Sequence, residues 1–100
     1  MQPANMIWVE AGKRYRTDTA TLIAHDEYWN GYNCEQNGRN TFLFRTPKGN
    51  FFAQCQSLLR GEVNKINPLD TTEAIALYQS LPKKEVPFRV VFPGVKVKDA

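Results

Sequence analysis

Apolar and polar positions alternate most regularly between Thr41 and Leu58, in the run T-F-L-F-R-T-P-K-G-N-F-F-A-Q-C-Q-S-L. Side chains of a strand point to opposite faces in turn, so Phe42 and Phe44 share one face of a first strand, Thr41 to Arg45. Phe51, Ala53 and Cys55 share a face of a second, Asn50 to Leu58. Between them stands Thr46-Pro47-Lys48-Gly49. Proline presets the first corner of a tight turn and glycine accepts the positive φ that its end requires. The pattern predicts a β-hairpin.

A different period follows. Ala74, Leu77, Tyr78 and Leu81 fall at i, i+3, i+4 and i+7, the stripe of an amphipathic helix. Asp70 with Glu73 three residues on forms a capping box at its start, and Pro82 halts it after Leu81. So short a helix is marginal alone in water and must dock its stripe on a sheet, with Leu77 at mid-stripe.

The remaining segments are weaker. Met6 to Val9 reads as a short strand ending at the turn Ala11-Gly12-Lys13. Thr17 to Ala24, rich in β-branched residues, reads as another strand. Asp26 to Asn40 holds Asn30-Gly31 and Asn37-Gly38 and reads as mostly loop. Val63 to Ile66 offers one more short strand before Asn67-Pro68. In the tail, Pro87 and Pro93 confine any strand to an edge or a bulge, while the apolar content of Glu85 to Val97 argues that it packs down.

Together these elements predict an α+β fold: a small antiparallel sheet of four to five strands, the hairpin central, with helix 71–81 packed on one face. With 100 residues, 42% hydrophobic and 23% charged, the composition is that of one globular domain spanning residues 1–100. Met1 to Met6 carries neither the basic segment nor the apolar run of a secretory signal, and no stretch approaches the length of a membrane span. The expectation is a cytoplasmic protein with no membrane partner.

Several blocks resemble a group of small bacterial proteins of the mobile-element or gene-cassette type. They are T-D-T-A-T-L-I-A (17–24), D-E-Y-W (26–29), G-R-N-T-F-L-F-R-T-P-K-G-N-F-F (38–52), P-L-D-T-T-E-A-I-A-L-Y (68–78) and V-F-P-G-V (91–95). The group has no established activity, so the resemblance implies a bacterial, cytoplasmic single domain and assigns no catalytic residue.

Chemistry is sparse. Two cysteines, Cys34 and Cys55, and a single histidine, His25, cannot supply the four ligands of a structural zinc site. Cys55, in its alternating pattern, reads as a small buried hydrophobe and Cys34 as a free thiol. A small enzyme built on His25 or Cys34 would need a facing base and a group to orient it, and a loop with two Asn-Gly turns fixes neither. Adjacent residues of an extended chain diverge, so His25, Asp26 and Glu27 do not form a metal site. No metal and no cofactor is expected.

Two surfaces compete for a binding role. Tyr28, Trp29 and Tyr32, interleaved with Asn and Gly, have the composition of a contact loop, large rigid rings beside adaptable polar groups. They favour a non-enzymatic binding module for a protein partner or for a second copy as a homodimer. Arg39, Arg45 and Lys48 around the hairpin could join those rings as an aromatic and basic face for single-stranded nucleic acid. A net charge of +3, with cations scattered among acids, makes that accessory role the second choice.

Overall fold

The computed structural model describes residues 5–26, 39–57 and 64–94. Its centre is the expected hairpin. Strand β4 (Arg39–Arg45) pairs antiparallel with β5 (Phe51–Ser57), and Phe44 lies opposite Phe52. The turn closes as its sequence requires. The Gly49 N–H donates to the Thr46 carbonyl at 2.9 Å, the Thr46 Oγ1 accepts from the Asn50 N–H at 3.0 Å, and Gly49 takes φ +88°.

Around this hairpin a five-stranded antiparallel sheet forms in the order β6-β5-β4-β3-β7, with β3 (Thr21–His25), β6 (Lys65–Leu69) and the two-residue β7 (Lys83–Lys84). The third strand starts later than its β-branched run suggests. Residues 17–20 form a turn, closed by Thr17, whose Oγ1 accepts from the Met6 N–H at 2.9 Å. Strand β6 begins at Lys65 and continues through Asn67-Pro68, where the expected strand ended. Proline is tolerated there because β6 is an edge strand, whose outer side needs no N–H donor.

Both faces of the sheet are covered. Leu43, Phe51, Ala24 and Ile23 meet helix α1 (Thr71–Ser80) and the tail on one face. The capping box of α1 is complete: the Glu73 N–H donates to Asp70 at 2.7 Å and the Asp70 N–H to Glu73 at 3.0 Å. Ala74, Tyr78 and Leu81 are buried, whereas Leu77 is only half-buried, so the stripe turns toward Tyr78 rather than centring on Leu77. The reason lies in the tail. A short helix α2 (Phe88–Val91) stands where an edge strand was the alternative. It brings Phe88 and Phe92 against Tyr78 at ring separations of 5.6 and 5.8 Å, and the Tyr78 hydroxyl donates to the Val86 carbonyl at 2.7 Å.

A β-bulge between Leu22 and Ala24 fixes that tail. It turns the Ile23 carbonyl toward the chain beyond β7, where it accepts from the N–H groups of Glu85 (2.8 Å) and Val86 (3.2 Å).

Phe42, Phe44, Phe52 and Ile66 build a second core on the opposite face, which single-helix packing did not anticipate. Its lid is a two-stranded ribbon, β1 (Ile7–Glu10) and β2 (Lys13–Arg16), which forms a separate sheet. Tyr15 alone of its strand residues is buried, edge-on to Phe52 at 5.7 Å. The strand β2 was not expected, because K-R-Y-R offers only one apolar residue. Among the described residues no helix is long and apolar enough to cross a membrane.

Candidate functional site

The ribbon's backbone follows from its turn. Ala11 and Gly12 both have positive φ, 52° and 75°, so the two-residue loop is of the type I′ form, whose twist matches the strands it joins. In such a hairpin the flanking pair, Glu10 and Lys13, exchanges hydrogen bonds, and bonded and non-bonded pairs then alternate. The Thr17 N–H donating to the Met6 carbonyl at 3.1 Å keeps the same phase. The N–H and C=O groups of Ile7 and Val9 therefore point away from β2. Those of Arg14 and Arg16 point away from β1.

Side chains alternate with them. Tyr15 faces the sheet, and Trp8, directly opposite it, shares that side and donates from its indole Nε1 to Glu10 at 3.2 Å. The outer side carries Ile7 and Val9 beside Arg16 and Arg14. Ile7 is 61% exposed, Val9 65% and Trp8 41%, and among the described residues β1 pairs with β2 alone. An apolar strand open at its edge is a template for another strand.

Along the opposite edge of the ribbon runs a cleft of about 370 Å³. All four β2 residues line it, together with Thr19 and the Thr46–Asn50 turn of the central hairpin. Among the described residues Lys13, Arg14, Arg16 and Lys48 give it four cations, and none that line it is acidic. Arg16 also holds Asp18 through two hydrogen bonds of 3.1 and 2.8 Å, which keep that carboxyl below its ordinary pKa. Sequence reasoning saw the cations as scattered. The K-R-x-R run at 13–16 was visible, but nothing in the sequence places Lys48, some thirty positions on, across from it.

The residues singled out from sequence fall differently. Tyr28, Trp29, Tyr32 and Cys34 lie outside the described residues, as does Glu27. Arg39 begins β4, at the end remote from the turn. Arg45 ends β4, half-buried, with its Nε buried and without a hydrogen-bond partner. It lines a smaller cleft of about 120 Å³ with Thr21 and the apolar Ile23, Val86, Val90 and Val91. Arg39 and Arg45 thus stand at opposite ends of one strand.

His25 is buried, its Nε2 2.7 Å from Glu85 Oε1 and its ring 6.0 Å from that of Phe42. The pair ties β3 to the tail. Asp26 is occupied by the backbone, accepting from the Thr41 N–H at 2.6 Å. Among the described residues no three His, Cys, Asp or Glu side chains converge on a point that could hold a metal. Cys55 carries a free thiol and is half-buried, not fully inside, because edge strand β6 sets only Lys65 and Asn67 around it on that face. Comparison with family models, curated proteins and solved structures finds no match to this chain.

Proposed function

We propose that this chain is a non-enzymatic binding module that engages protein through the open edge of β1, with a second copy of itself as the occupant. The observation that carries the reading is the exposure of Ile7 and Val9 on a strand with no second pairing partner among the described residues. Register supports a two-fold pairing. Only Ile7 and Val9 present outward N–H and C=O groups along β1, so an antiparallel copy pairs Ile7 with Val9 of the second copy, and the reverse. Trp8 then lies opposite its own counterpart on the axis. The interface is isologous, as a two-fold axis demands, and builds a four-stranded sheet from two ribbons.

Sedimentation equilibrium across a concentration series tests this, with Val9→Lys as the variant. The lysine sits on an exposed position and charges the edge without touching either core. Wild-type protein should associate into dimers, and Val9→Lys should remain monomeric while still unfolding in a cooperative thermal transition. Wild-type protein that stays monomeric throughout would remove self-pairing.

A further inference from the structure

We infer that the cleft between β2 and the Thr46–Asn50 turn is a second, separate site, and that it binds the phosphodiester backbone of single-stranded nucleic acid. It does not rest on the pairing of β1, since it uses the opposite edge of the ribbon.

Charge comes first. Lys13, Arg14 and Arg16 stand on the four-residue strand β2, with Lys48 across the cleft, and among the described residues no carboxylate lines it. Lys13, Arg14 and Arg16 are anchored along about 10 Å of strand, with Lys48 on the facing wall, an arrangement that suits a chain of phosphates better than a single one.

Hydrogen-bond donors come next. The N–H groups of Arg14 and Arg16 point to this edge, as the ladder's phase dictates. Thr19 and Asn50 add neutral polar side chains to the same walls. Backbone N–H groups beside cationic side chains are the usual partners of phosphate oxygens.

Shape completes the case. A volume of about 370 Å³ accepts a stretch of one sugar-phosphate chain. Among the described residues of the walls the one aromatic ring, Tyr15, is committed to Phe52 and the second core, so it offers no open face for base stacking. Recognition of the backbone alone is indifferent to sequence and dominated by counterion release.

Asp18 sets the strength of the site. It neutralises Arg16 through paired hydrogen bonds, leaving Lys13, Arg14 and Lys48 as the main contributors.

The test is fluorescence anisotropy of a short labelled oligothymidine with the full chain, across a salt series from about 50 to 200 mM. Three effective cations predict a slope of log affinity against log salt of about −2. Arg14→Ala and Lys48→Ala should each weaken binding about tenfold and make the slope shallower by about 0.7. Lys65→Ala removes one charge on the far edge strand β6 and should leave binding unchanged. Asp18→Asn should strengthen binding by releasing Arg16. Circular dichroism melts confirm that each variant is folded. Three results would overturn the site: no salt-dependent binding, an equal loss in Lys65→Ala, or displacement of the oligonucleotide by inorganic phosphate no less readily than by a second oligonucleotide at matched ionic strength.

Discussion

Gly49 and Ala11 both sit at positive φ, and they reach it from opposite starting points. Glycine adopts φ +88° without steric penalty, and a Cβ added there would meet only Arg45 Nη2 at 3.7 Å, an ordinary contact. The cost of Gly49→Val therefore comes from the backbone rather than from a clash, and should be about 1–3 kcal/mol. Chemical denaturation would measure it; an unchanged midpoint would mean that this turn does not need its glycine. Ala11 is the reverse case, an L-residue with a Cβ in the left-handed region, where asparagine is far better tolerated. Ala11→Asn should stabilise the ribbon by up to about 1 kcal/mol, seen as slower hydrogen exchange at the N–H groups of Trp8, Glu10, Lys13 and Tyr15. Sequence alone marked the first position clearly, because Pro-Lys-Gly specifies its turn chemically. It marked the second only as a turn, because alanine is no signal of a type I′ loop. The Lys13–Arg16 strand that the loop creates went unread with it.

Elements with a chemical start and stop were legible, and those held by tertiary contacts were not. Helix α1 begins at its capping box and ends before Pro82 as expected, since both signals are local. Which side chain would anchor it was not local. The stripe put Leu77 in the middle, but Phe88 and Phe92 of the tail close over Tyr78, and the bulge at Ile23 holds that tail in place. Burial raises the pKa of Tyr78 by disfavouring the phenolate, so the hydroxyl stays a donor to the Val86 carbonyl through neutral pH. Tyr78→Ala should thus remove a ring from the main core and leave that carbonyl without its partner, at a cost of about 3–5 kcal/mol. Leu77→Ala, at a half-buried position, should cost less than Tyr78→Ala. Equilibrium unfolding of the two variants would decide the order, and a larger loss for Leu77 would mean that the tail does not pack on the helix as described.

At the scale of the whole molecule, the α+β class was legible from two periodicities, whereas the division of labour between two core faces was not. A strand with one buried residue, Tyr15, looks polar in sequence, yet that residue joins the ribbon to the second core and so sets both of its edges in place. The two edges then answer salt in opposite senses. Each chain carries a net charge of +3, so two copies meeting edge to edge repel one another at low ionic strength. Salt screens that repulsion, with a Debye length near 10 Å at 0.1 M, while the apolar and backbone contacts of β1 are little affected by it. Phosphodiester binding behaves the other way, because added cations compete for the phosphates that Lys13, Arg14 and Lys48 would neutralise. Raising salt from about 50 to 200 mM should therefore tighten self-association in sedimentation equilibrium while weakening oligothymidine binding in anisotropy. Val9→Lys should abolish the first response, while oligothymidine binding still weakens with salt, and Lys48→Ala should flatten the second and leave the first. If both associations weaken together with salt, the dimer contact is electrostatic and cannot lie along the apolar edge of β1.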